Sequence, residues 1–174
     1  QGNDIHVRDA AGRTPAHVAA FQSHGKVLEA LVRAGADINA LEGDTYDVIT
    51  IAAVANDPKI LRMALSLGGN PGNVTSRYEG TALIAAAHLG HVEVVKILIN
   101  AGAPLDHVNN LDWTALIEAI VLGDGGRRHV ETAGALIEAG ADVTIADRNG
   151  IRPIDLARQR GFGAIVALFE KSSR

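Results

Sequence analysis

The chain repeats itself about every 33 residues, and this limits what it can fold into more than anything else in it. The segment Thr14-Pro15-Ala16-His17-Val18-Ala19-Ala20 is matched 33 residues later by Asp47 to Ala53, and then by Thr81 to Ala87, Thr114 to Ile120 and Arg152 to Arg158, giving five units. Behind each comes a second apolar segment: Val27 to Val32, Ile60 to Leu65, Val94 to Ile99, Ala133 to Ile137 and Ile165 to Phe169. Each unit therefore reads as two short helices. Such a unit cannot bury its apolar face alone, so its neighbours must cover it, and the result is a stack. Aromatic residues make up only 3% of a chain that is 47% apolar, so the layers must be built from Ala, Leu, Ile and Val and lie close together.

Punctuation supports the same division. The second helix of a unit stops at Ala34-Gly35-Ala36-Asp37, Leu67-Gly68-Gly69-Asn70, Ala101-Gly102-Ala103-Pro104 or Ala139-Gly140-Ala141-Asp142, where Gly can take the left-handed conformation that closes a helix. The Thr14-Pro15 start fits a cap followed by Pro at the first helical position, where a missing N–H costs nothing.

GRTPAHVAA (12–20), AHLGHVEVVKILINAGA (87–103) and ALIEAGADV (135–143) resemble the ankyrin repeat, and the likeness covers nearly the whole chain. The resemblance implies an all-α solenoid of stacked helix-turn-helix units with β-hairpin fingers along one edge. It also implies a concave face of fingers and first helices that holds another protein or peptide. The units are expected over 9–41, 42–75, 76–108, 109–146 and 147–174, all in one domain, with 1–8 as the tail of an upstream repeat whose helix pair is missing. The outer face of the first repeat should then be apolar and unpaired. The fifth unit, rich in Arg148, Arg152, Arg158, Arg160 and Lys171, reads as a C-terminal cap with the polar outer face that a last layer needs. The segment Asp106 to His129 further resembles bacterial ankyrin proteins, many of them exported. That points to a periplasmic or secreted setting over a cytoplasmic one.

Two units depart from the pattern. The second begins with Asp47 and turns at Asn56-Asp57-Pro58, so its caps are expected to use Asp, Asn and Pro chemistry. The fourth carries five extra residues, Asp124-Gly125-Gly126-Arg127-Arg128, between its helices. These read either as a tolerated surface loop, since lengthening a loop costs little, or as a cationic contact through Arg127 and Arg128.

A net charge of −4 offers no general attraction to phosphate backbones or anionic lipid, so neither nucleic acid nor membrane is expected as a partner. No nucleophile with an attendant base is recognisable, and Gly123 to Gly126 lacks the strand, helix and Lys of a phosphate loop. A non-catalytic, cofactor-free monomer follows. Among seven His, the pair His88 and His91, with Asp106 and His107 in the same unit, is the one arrangement with a metal-like spacing. The alternative reading is structural: the ankyrin resemblance implies that His91, like His24 and His129, holds the turn position and that His17 ties backbone groups together. Glu118 stands in a column otherwise holding Val18, Ile51, Ala85 and Leu156. A carboxylate entering an apolar layer must find partners or protonate. It is either a structural network member, bonded by an Asn of the 109–110 finger or by a neighbouring backbone group, or a functional carboxylate in the groove. A small-ligand or metal role around Glu118, His88, His91 and His107 is the second functional reading.

The fold does not dictate its fingertips and first-helix ends, so these carry the expected partner contacts: Arg13, Tyr46, Arg77, Tyr78, Asn110, Leu111, Trp113 and Arg148 on the fingers, and His88, Leu89 and Val121 on the helices. Tyr46, Tyr78 and Trp113 read as interface anchors or, alternatively, as packing between adjacent fingers.

Overall fold

The computed structural model describes residues 4–172. Five helix pairs follow one another: α1 (Pro15–Phe21) with α2 (Gly25–Arg33), α3 (Val48–Val54) with α4 (Pro58–Ser66), α5 (Ala82–Leu89) with α6 (Val92–Asn100), α7 (Ala115–Val121) with α8 (Arg127–Glu138), and α9 (Pro153–Gln159) with α10 (Gly163–Ser172). Each first helix packs on the second helix of its own unit and on neighbouring first helices, and second helices pack on neighbouring second helices, forming two rows. The architecture is the all-α solenoid expected.

Local chemistry starts and stops each helix. The Thr81 and Thr114 hydroxyls accept from the backbone N–H of Ile84 at 3.4 Å and Ile117 at 3.3 Å, and the Asp47 carboxylate accepts from Thr50 at 2.8 Å. These bonds satisfy orphan donors of the first turn. Asp57 caps α4 through the N–H groups of Lys59 and Ile60, ahead of Pro58 at the first helical position, so the second unit is capped as its sequence suggests. At the other ends Gly35, Gly68, Gly102 and Gly140 all have positive φ, between 81° and 102°. At Thr14 the cap is an imidazole: His17 Nδ1 accepts from the Thr14 N–H at 3.0 Å and Nε2 donates to the Ala40 carbonyl at 2.8 Å.

Small side chains let the first row close up. Ala16, Ala53, Ala86, Ala87, Ala119 and Ala157 are fully buried between successive first helices. Each second helix adds a fully buried aliphatic anchor: Leu28, Leu61, Leu98, Leu136 and Ile165. Cutting one of these to Ala is expected to cost about 2–5 kcal/mol. Histidines stitch layer to layer, since His91 Nδ1 donates to the Ala53 carbonyl at 3.0 Å and His129 Nε2 to the His88 carbonyl at 2.9 Å.

The ends differ. On the outer face of α1 and α2, Val7 and Val27 stay half exposed, and an open cavity of about 420 Å³ is lined in part by Pro15, Val18 and Leu31. At the other end Asp155 pairs with Arg152 and Arg158, giving the last unit a charged surface.

The fingers carry little regular strand, and one expectation, the insertion, needs correction. Regular strand pairing among the described residues is confined to β1 (Val74–Thr75) and β2 (Gly80–Thr81), antiparallel with Val74 opposite Thr81. The other fingers are hydrogen-bonded turns. The insertion is not a five-residue loop between helices: Arg127 and Arg128 open α8, and His129 lies inside that helix, whereas His24 and His91 stand just before α2 and α6. The remaining turn is packed, because Gly125 lies against the Phe162 ring and the Gly123 carbonyl accepts from Arg160 at 3.0 Å. Gly125 also has φ +69°, so a methyl group there would be strained and would overlap Phe162. We expect Gly125→Ala to lower unfolding free energy by about 1–3 kcal/mol in chemical denaturation, whereas a free loop would show almost no change.

Candidate binding surface on the fingers and first helices

Each finger is closed by one polar side chain at its base. Asp9 Oδ1 accepts from the N–H groups of Ala11 and Arg13, and Glu42 Oε1 from Asp44 and Tyr46. Asn109 Oδ1 accepts from Leu111 and Trp113, and Asp147 Oδ1 from Asn149 and Ile151, with all eight bonds between 2.9 and 3.0 Å. In the third finger Ser76 holds only the Tyr78 N–H, at 3.2 Å. These clasps went unread in the sequence. Their signal was present, since an Asp, Glu or Asn stands four residues before Arg13, Tyr46, Trp113 and Ile151 alike.

The tips then turn through positive φ. Gly12 and Gly150 do this without strain, but the three middle fingers place Thr45, Glu79 and Asp112 there, at φ 67°, 54° and 62°. A side chain in the left-handed region costs roughly 1–2 kcal/mol. Successive fingers are tied through main chain: Gly43 N–H to Ala11 carbonyl at 2.9 Å, Ser76 to Thr45 at 3.1 Å, and Asn110 to Tyr78 at 3.0 Å.

On this frame the expected contact residues fall into two groups. Arg77, Tyr78, Asn110 and Arg148 are exposed, Tyr78 by 50%. Asn110 also donates from its amide to the Arg77 carbonyl, and Arg148 lies 3.4 Å from Asp112. Arg13 is bound to Asp9 at 2.7 Å. Tyr46, Trp113 and Val121 are half-buried and packed on the core, and Leu89 and Leu111 are half-buried too. Tyr46 and Trp113 thus pack against the core, whereas the Tyr78 side chain is half exposed. Seven residues past each first-helix cap lie Phe21, Val54, His88 and Val121, a row running along the stacked first helices; Phe21 is 48% exposed and Val54 37%. Leu122, next to Val121, is 43% exposed.

Glu118 sits under this row, its side chain 7% exposed. Its Oε1 accepts from Asn109 Nδ2 at 2.8 Å, and Oε2 lies 3.4 Å from His88 Nδ1. Asn109 thus uses its carbonyl to clasp the finger and its amide to satisfy the carboxylate, which explains why the fourth clasp is Asn and not Asp. Burial pushes the Glu118 carboxyl up to about 7, opposed by the Asn109 bond. Burial, and then the neighbouring His129, hold the His88 ring below the ordinary imidazole range. Both shifts disfavour the charged forms, so the 3.4 Å approach of Oε2 to Nδ1 is not by itself an ion pair.

The metal reading is not supported. His91 donates to Ala53, His107 Nε2 bonds the Glu79 carbonyl at 2.6 Å, and His88 alone meets Glu118. Among the described residues no group of three potential ligands comes together. In the insertion, Arg127 is exposed and bound to Glu131 at 2.6 Å, Arg128 is exposed beside Gly90, and Asp124 accepts from His129 Nδ1 at 2.7 Å.

Two rows of short helices with hydrogen-bonded fingers along one edge define a repeat protein whose non-structural side chains gather on fingertips and first-helix ends. The chain belongs to the ankyrin repeat family: residues 49–147 match the model for three ankyrin repeats and residues 11–42 that for a single one. It is 34% identical to the putative ankyrin repeat protein YahD of Escherichia coli, over 96% of this chain and 83% of that protein. A crystal structure of an ankyrin repeat domain from Acinetobacter baumannii AYE superposes with a TM-score of 0.92 at 42% identity, covering 99% of this chain and 88% of that one. The ankyrin repeat protein EF0377 gives 0.90 at 32% identity, covering 97% and 85%. Ankyrin repeats are in general protein-interaction modules. No described helix is long and apolar enough to cross a membrane.

The raised Glu118 value fixes a sign. Between the ordinary carboxyl value and about 7, the unfolded chain ionises while the fold still holds the proton, so this residue's contribution to stability is full in acid and is lost as pH rises through that window. Glu118→Gln, which keeps an acceptor for Asn109, is expected to be near neutral at pH 4 and stabilising by roughly 3 kcal/mol above pH 8 in denaturant titrations.

Proposed function

We propose that this chain is a non-catalytic, monomeric module that grips one partner protein or peptide across the fingertips of its middle units and the ends of its first helices. The observation that carries this reading is the row Phe21, Val54, His88 and Val121, a run of mostly apolar side chains left partly open on a surface whose other positions the fold fills. Exposed, contiguous apolar positions rimmed by polar groups are where protein partners bury area. The strained tips Thr45, Glu79 and Asp112 support the same place, because Gly would hold those turns at lower energy, as Gly12 and Gly150 do. The rim is polar and mixed in sign, with Arg77, Asn110 and Arg148 beside Asp44 and Asp112. Arg127 and Arg128, at the start of α8, form a second and more remote contact. Nothing in this mode asks for nucleic acid, lipid or a cofactor. The likeness of residues 106–129 to exported bacterial ankyrin proteins supports a periplasmic or secreted setting, which fractionation of the source cell tests.

Binding here is shape complementarity on a preorganised surface, so single exposed anchors should matter for affinity and not for folding. Tyr78→Ala and Leu122→Ala are expected to weaken capture of the partner by tenfold or more, about 1.4 kcal/mol or above, at unchanged melting temperature. Trp113→Ala, by contrast, should lower the melting temperature as well, because its ring packs on the core. Unchanged affinity in both exposed variants would remove this face from consideration.

A further inference from the structure

We propose that Glu118 and the helix ends around it form a receptor for a basic side chain, Lys or Arg, of the bound partner. This rests on the binding reading above and names the chemistry of its anchor.

The Glu118 carboxyl is buried, bonded at Oε1 to a neutral amide, and at Oε2 lies 3.4 Å from an imidazole whose burial disfavours its charged form. As pH rises through about 7 it ionises in that position. A buried charge without a counter-charge is costly, and a chain under no other constraint would place Leu here, as it does at Leu156. Among the described residues no Lys or Arg lies within ion-pair distance of Glu118, and most cations of the adjoining elements have other partners. On α9 and its cap, Arg152 and Arg158 pair with Asp155. On α8, Arg127 pairs with Glu131 and His129 bonds Asp124 and the His88 carbonyl, while Arg128 is exposed. On the loops, Arg148 faces Asp112 and Arg160 donates to the Gly123 carbonyl. From α5 the titratable group facing Glu118 is His88.

His88 is 46% exposed, so its ring can give way to an incoming group. A guanidinium or ammonium taking its place would set N–H donors on Oε2, while Leu89, Val121 and Leu122 supply apolar contact for the methylene stem. The proton balance is simple. Where Glu118 still holds its proton, docking breaks the carboxyl O–H bond, the proton passes to water, and an N–H to carboxylate bond forms. The affinity for a cation therefore rises with pH as the carboxyl ionises, by about tenfold between pH 6 and pH 8 for a group titrating near 7.

The test uses N-acetyl-argininamide as probe and N-acetyl-citrullinamide, of the same shape without the charge, as control. Carbon-detected NMR of the Glu118 carboxyl and amide spectra of Leu89 and Val121 would follow titration of the whole chain up to about 100 mM, the weak range expected of one side chain. The expected result is a saturable shift with the arginine compound, about tenfold tighter at pH 8 than at pH 6, a lowered titration midpoint for Glu118, and no such shift with the citrulline compound. Glu118→Gln, verified as folded by its amide spectrum, should lose the response. Equal shifts with both compounds, or none with either, would overturn the inference. So would a partner lost by Tyr78→Ala yet held unchanged by Glu118→Gln, and that last outcome would leave the binding face itself standing.

Discussion

Everything in this molecule depends on one kind of contact, the lateral burial of one helix pair against the next. No unit encloses a core of its own. The alanines of α1, α3, α5, α7 and α9 bring the first helices close enough to exclude water, and one or two large aliphatic side chains per second helix fill the space behind them. The fingers, the caps and the histidine stitches are all downstream of that spacing. His91 and His129 reach a carbonyl of the preceding layer only because the layers already lie at that distance.

That dependence explains what was legible from residues alone. A repeated apolar pattern reports stacking directly, so the helix pairs, the Gly stops and the cap at Asp47 could all be read. The backbone-tying role of His17 was expected from the family resemblance, and its ring bonds the Thr14 N–H and the Ala40 carbonyl. Harder to see was anything depending on the third dimension between units. Gly123 and Gly125 look like loop glycines, and only their contacts with Arg160 and Phe162 make them packing residues. The finger clasps escaped because their residue type varies among Asp, Glu, Ser and Asn, although the bond they make is constant. Trp113 and Tyr46 sit at positions that look like tips in sequence, and the turn folds them back on to the core.

Glu118 shows the opposite case, a residue whose oddity in its column was plain but whose meaning needed geometry. Its column marked it as an intruder among Val, Ile, Ala and Leu. The structure supplies the neighbours that decide its behaviour: an amide that cannot neutralise it and an imidazole whose burial disfavours the charged form. A fold that is consistent at almost every other level carries its clearest local conflict here, which is where natural proteins tend to keep function.

The main-chain bonds between successive fingers have a mechanical consequence. Gly43 to Ala11, Ser76 to Thr45 and Asn110 to Tyr78 set a directional, short-range spacing along one edge of the stack. The helix rows behind them are held by packing and by the bonds from His91 and His129 to carbonyls of the preceding layer. The first four fingertips are thus joined in series through backbone, so displacing one tip strains the main chain of the next and a load on a single finger is shared along the edge.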